Sequence, residues 1–159
     1  MRKLKKKIVT LTGHKFTKKT IVASKLASNS DVVYVQPYTD RELPKWAVDG
    51  EGLGFHFVLP SVLDKMIEEE DVLTMKTVNE NRYVFFKFQF IASYNVVIVD
   101  DYGVLDIKNE WDGLIYTIRL VSDKEKQSDR VGEYLFKHEF DLIFDYDKDD
   151  FDEMESKII

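Results

Sequence analysis

The sequence predicts an α/β fold, with a mainly parallel sheet and helices on both faces. Three observations carry this. Short apolar runs of strand length alternate with segments of helical spacing along most of the chain. Val96, Val97, Ile98 and Val99 are apolar without a break, as in a strand covered on both faces. Hydrophobic residues at 44% and aromatics at 13% of 159 residues are enough for one core of useful size.

Each element follows in order. Residues 7–11 read as a short buried strand. Residues 17–28 read as a helix, with Ile21, Val22 and Leu26 on one face. A second strand is predicted at 31–35. An irregular stretch then runs to about Phe57, broken by Pro37, Pro44 and the close glycines Gly50, Gly52 and Gly54. Pro60–Glu69 has proline and serine at its start and Val62, Leu63, Met66 and Ile67 at helical spacing. Residues 72–77 and 82–90 read as a hairpin around Asn79, Glu80 and Asn81. Phe86, Phe88 and Phe90 alternate and are expected to form one buried face. Strands are predicted at 95–100, 113–121 and 140–144, a charged helix at 122–137 and a last helix at 148–157. The stretch from about 38 to 90 reads as an insertion on the parallel core.

Composition removes several function classes. Lys+Arg is 23 and Asp+Glu 29, a net charge of −6, which argues against a binder of nucleic acid polymers. The absence of cysteine excludes a disulfide scaffold, a thiolate zinc site and a thiol nucleophile. His14, His56 and His138 lie too far apart in sequence to announce a metal centre. No apolar run approaches the ~18 residues of a membrane span. The basic start, Arg2 to Lys7, is followed only by the short apolar stretch 8–11, so no signal peptide is read and a cytoplasmic location is expected. Nine acidic residues between Glu139 and Glu155 face one lysine, Lys148; a solvated helix face is the plain reading and an acidic docking tail the sharper one.

Two segments carry chemistry. Gly13, Lys19 and Thr20 fall in register with G-x-x-x-x-G-K-[ST], between a predicted strand and a predicted helix, while Lys18 stands at the second glycine. That motif wraps backbone N–H groups around phosphates, sets a lysine on the outer phosphates and a hydroxyl on Mg²⁺. The predicted strand 95–100 ends in Asp100, followed by Asp101, so a carboxylate is expected near Mg²⁺ and phosphate at the carboxyl end of the sheet.

With these, the middle of the chain resembles the guanylate kinase family. Tyr38-Thr39-Asp40-Arg41, Asp49-Gly50, Gly54-Phe55-His56-Phe57-Val58 and Leu63-Asp64-Lys65-Met66-Ile67-Glu68 follow the family's order. The family shows Ser-x-Thr-Thr-Arg-x-x-Arg, Gly-x-x-Tyr-x-Phe-Val and Phe-x-x-Met-Ile. The resemblance covers most of residues 7 to 157. It implies a three-layer P-loop kinase-like core with a mainly parallel five-stranded sheet. It also implies an inserted monophosphate-binding region at about 38–90, core segments at about 7–37 and 91–157, and a short lid at about 122–130.

The resemblance further implies ATP and Mg²⁺ as cofactors and a nucleoside or deoxynucleoside monophosphate as acceptor, GMP and dGMP among the candidates. Lys18, Lys19, Thr20 and Gly13 would meet ATP, and Thr20, Asp100 and Asp101 the metal. Arg41, Lys45, Tyr83 and Thr74 would meet the monophosphate, and Arg130 would be the lid arginine. Departures are specific. Pro44 stands at the second arginine, with Lys45 beside it, and Phe55 replaces a tyrosine. Thr74 replaces the glutamate that reads guanine, Phe85 a serine, and Ile98 the first acid of Asp-x-Asp. Arg119 lies on the strand before the lid. Two functions from different classes therefore stand side by side: a nucleoside monophosphate kinase, and an inactive guanylate-kinase-like module that binds a protein partner or a nucleotide. Thr74 and Phe85 predict weakened guanine selectivity in the first case.

Overall fold

The apolar run after Lys6 becomes the middle strand of the molecule. The computed structural model describes residues 6–14, 17–45, 54–122 and 140–159. Strands and helices are numbered along the chain. The parallel sheet contains β1 (Lys7–Gly13), β2 (Val32–Tyr34), β7 (Tyr94–Ile98), β8 (Leu114–Leu120) and β9 (Leu142–Phe144), ordered β2-β7-β1-β8-β9. Alternation sends the side chains of β1 to both faces. Val9 and Leu11 meet Val22 and Leu26 of α1 (Lys19–Leu26) and Met154 and Ile158 of α4 (Phe151–Ile158). Ile8 faces the other way, toward Val97, Phe90 and Ile107 of α3 (Asp101–Glu110). The result is the expected three-layer α/β core with a five-stranded, all-parallel sheet.

A second sheet, ordered β4-β3-β6-β5, joins β3 (Tyr38–Thr39), β4 (His56–Phe57), β5 (Val72–Val78) and β6 (Asn81–Phe86). β5 and β6 form the expected hairpin, whose turn places Asn79 and Glu80 at positive φ. One face of this sheet, with Val84 and Phe86, packs on Leu63 of α2 (Pro60–Glu69). Leu73 and Phe85 point the other way and join Ile8, Val97 and Ile107. The two sheets thus share a core, and this positions the site between them.

Several expectations are corrected. The strand predicted to run to Phe90 stops at Phe86; Lys87–Gln89 is a short 3-10 helix, closed by Gln89 Oε1 accepting from the Phe86 N–H at 2.8 Å. That turn leaves Phe86 and Phe90 buried but Phe88 45% exposed, so the three rings do not share a face. Ile21 is exposed, because α1 buries only Val22, Ala23 and Leu26 against the sheet. α3 is a helix that the sequence pattern does not predict: its buried stripe is only Gly103, Val104 and Ile107, too narrow to stand out beside so many polar residues. The last helix begins at Phe151, capped by Asp150 accepting from the Asp152 N–H, because residues 145–149 form a turn. The irregular stretch contains the two short strands β3 and β4. The helix expected at 122–137 falls outside the described residues from 123 onward. No described helix is long and apolar enough to cross a membrane.

Candidate active site

β1 ends on Gly13, where the chain turns toward α1 under the end of β8. A Cβ there would lie 2.6 Å from the Leu120 carbonyl oxygen and 2.7 Å from Thr17 Oγ1, so only glycine fits. Thr17 closes the turn, its hydroxyl and its N–H both donating to the His14 carbonyl, at 2.6 and 3.0 Å. Lys18 follows at φ 63° and ψ 36°, the left-handed conformation that a second glycine would adopt without strain. A lysine therefore holds a glycine conformation immediately before α1.

The two loop lysines have different surroundings. Lys19 Nζ folds back onto its own loop and donates to the carbonyls of Gly13 (2.5 Å) and His14 (3.0 Å). Lys18 instead pairs with Asp147, its ammonium 5.2 Å from the centre of the Tyr146 ring. The hydrogen bond to Asp147 raises the Lys18 pKa above its ordinary value. Burial pushes the Tyr34 phenol up, and the Thr20 hydroxyl draws it partly back.

Asp100 stands at the end of β7 as the N-cap of α3. Its Oδ1 accepts from the Gly103 N–H at 2.8 Å, and its Oδ2 lies 3.7 Å from Lys76 Nζ on β5. Asp101 instead sits 3.6 Å from Arg119 of β8, both side chains nearly buried. Thr74, also on β5, donates its hydroxyl to Asp106 Oδ2 of α3 at 2.8 Å. Tyr83 packs its ring 5.5 Å from that of Phe55, and the Arg41 guanidinium carbon lies 6.0 Å from the Phe55 ring centre. Beside Arg41, Asp40 is held firmly. Its two oxygens accept from the Arg82 backbone N–H and Nε, each at 2.8 Å, while Arg82 also reaches Asp64 at 2.6 Å and the Pro60 carbonyl at 3.2 Å. Burial pushes the Asp40 carboxyl up, and the Arg82 contacts outweigh it, leaving it below the ordinary carboxylate range.

These residues surround a cavity of about 460 Å³ between the two sheets. Of the sequence-predicted residues, Gly13, Lys19, Thr74, Tyr83 and Asp100 line it together. Lys18, Thr20, Arg41, Lys45 and Asp101 do not line it, although Arg41 lies against Phe55, which does. Arg130 lies outside the described residues. Lys76 and Asp106 had no sequence signal; they matter because β5 and α3 lie side by side, a contact made across 24 to 32 residues of chain. Among the described residues, no three of His, Asp and Glu converge as a metal cage. Mg²⁺ on a nucleotide requires only one or two protein oxygens. Asp100 suits that role, as a half-exposed carboxylate on the cavity wall. Asp101, paired with Arg119, and Thr20, which does not line the cavity, suit it less well.

No family model matches the sequence, and no curated protein matches it. The solved structures do match. The chain is similar to a guanylate kinase from Anaplasma phagocytophilum, with a TM-score of 0.64 and 17% identity, over 98% of this chain and 84% of that one. The fold is therefore guanylate-kinase-like.

Proposed function

We propose that this chain is an ATP-dependent nucleoside monophosphate kinase. One observation carries the reading: a single cavity is walled on one side by Gly13 and Lys19 of the phosphate loop and on the other by Thr74 and Tyr83 of the second sheet. A donor and an acceptor nucleotide placed on those two walls would meet with their phosphates between them. Phosphoryl transfer needs that positioning, with positive charge around the moving group, more than it needs covalent help.

In this reading segments 7–37 and 91–157 hold ATP, and segment 38–90 holds the acceptor. An acceptor phosphate oxygen attacks the γ-phosphorus, and ADP leaves. Lys19 exchanges its two carbonyl partners for the outer phosphates, which a flexible ammonium does readily. Tyr83 and Arg41 grip the acceptor phosphate from the Phe55 side, with Lys45 nearby in sequence, and Arg130 adds charge from the lid. Asp100 would hold Mg²⁺, which supplies neutralisation of the outer phosphates when bound.

The position of Lys18 favours a second reading. A lysine in the left-handed slot, tied to Asp147, narrows what the loop backbone can approach, as expected of a module that kept the fold and lost the chemistry. A coupled ADP-release assay across ribo- and deoxyribonucleoside monophosphates, with calorimetry of ATP–Mg²⁺, separates the two. The kinase releases ADP with at least one acceptor, and Lys19→Ala abolishes it with a loss of ATP affinity. Absence of both ADP release and nucleotide heat in the wild type refutes the kinase and leaves the binding module.

A further inference from the structure

Thr74 lines the cavity beside its strand partner Phe85, with Ile98 also in the lining, so its hydroxyl is the polar group among these apolar neighbours. Thr74 is only 8% exposed, so that hydroxyl is recessed. It has one hydrogen, and an ionised carboxylate can only accept; the 2.8 Å bond to Asp106 Oδ2 therefore consumes that hydrogen. What remains toward a ligand is a lone pair, with negative charge immediately behind it. We infer that the Thr74–Asp106 pair selects nucleobases that present an exocyclic amino group, and rejects those with a carbonyl at the same place. This rests on the monophosphate reading of the cavity and names the class of base it takes.

The physical reasoning is one of polarity. An amine projects beyond the ring, reaches a recessed acceptor and gains from the nearby charge. A carbonyl oxygen there would meet a lone pair and a carboxylate, with no hydrogen to accept. Replacing a matched donor by an acceptor in a site built for one hydrogen bond is what makes such sites discriminate. Asp106 does not line the cavity; it acts through Thr74 and is a positioning residue. In Asp106→Asn the side-chain amide can donate to Thr74 Oγ1, which frees the hydroxyl hydrogen to turn toward the ligand, so the polarity presented to the base can reverse without a change of shape.

The test is calorimetric titration of the full chain, without ATP, with pairs of monophosphates in which a carbonyl, with its neighbouring ring N–H, replaces an amino group: AMP against IMP, GMP against XMP, and CMP against UMP. In the wild type at least one amino compound should bind ~10-fold or more tightly than its partner. That ratio should fall to near unity, or invert, in Asp106→Asn, and fall in Thr74→Val. A uniform loss of affinity for both members of a pair in Asp106→Asn, with the ratio kept, would mean a merely structural contact and overturns the inference. Equal binding of every pair in the wild type overturns it too, while leaving the kinase reading intact. Failure of every monophosphate to bind overturns both.

Discussion

Lys18 is the residue where local conformation and charge pull in different directions. A β-carbon in the left-handed region is strained, and glycine removes that strain. Lys18→Gly also removes the pair with Asp147, but an exposed ion pair contributes little. We therefore expect Lys18→Gly to raise the thermal midpoint, and Lys18→Ala, which keeps the strain and loses the pair, to lower it. Thermal melts of the three proteins read the order directly; a glycine variant melting below the alanine variant would contradict it. Gly13 allows no such choice. The neighbour a Cβ would strike is backbone, the Leu120 carbonyl, which cannot swing aside. Gly13→Ala should displace the loop and lower stability, as measured by urea unfolding; under the proposed function it also lowers ATP affinity, as measured by calorimetry.

At the scale of elements, the 3-10 turn after β6 separates three phenylalanines that look equivalent in sequence. Phe90→Ala should cost about 3–5 kcal/mol, because the ring is buried among Phe85, Trp111 and Ile107 and leaves a cavity. Phe88→Ala should cost far less, since almost half of that residue is exposed already. Equal losses in urea titrations would restore the continuous strand. The Asp40–Arg82–Asp64 network ties β6 to the end of β3 and to α2. Asp40→Asn should cost about 2 kcal/mol, the value of hydrogen bonds to a charged group. The pH dependence has a definite sign. The Asp40 carboxyl lies below its ordinary value in the folded state. Between that depressed value and the unfolded value of about 3.9, the unfolded chain binds more protons. The stabilisation is complete above about pH 4 and is lost as pH falls through the folded value. Wild type and Asp40→Asn should therefore converge in stability under acid, as equilibrium unfolding at a series of pH values would show.

For the whole molecule, the decisive feature is that two sheets of different topology share one core and one cavity. Leu73 and Phe85 of the second sheet pack on Ile8, Val97 and Ile107 of the first, and the Lys76–Asp100 pair spans the same gap. A compound that carries both nucleotides, a dinucleoside polyphosphate of suitable length, should bind at least ~10-fold more tightly than ATP alone, because its second half binds at high effective concentration. Calorimetry compares them; equal affinities would mean that the two walls do not act on one ligand.

The local pattern by itself determined the parallel core. The strands around Ile8 and Val96 are largely apolar and suit a sheet covered on both faces, and α2 was readable from Pro60 because its opening proline and its apolar spacing both lie within ten residues. The strand–loop–helix unit that carries Gly13, Lys19 and Thr20 was legible for the same reason: its parts are close in sequence. Tertiary structure decided what proximity decides. α3 has too thin a stripe to announce itself and folds because the sheet covers Val104 and Ile107. Phe88 was turned out by a backbone turn that alternation cannot encode. Lys76, Asp106, Arg82 and Asp147 acquired their partners over separations of 18 to 129 residues, and the energy of those contacts depends on distance and burial, which residue order does not contain.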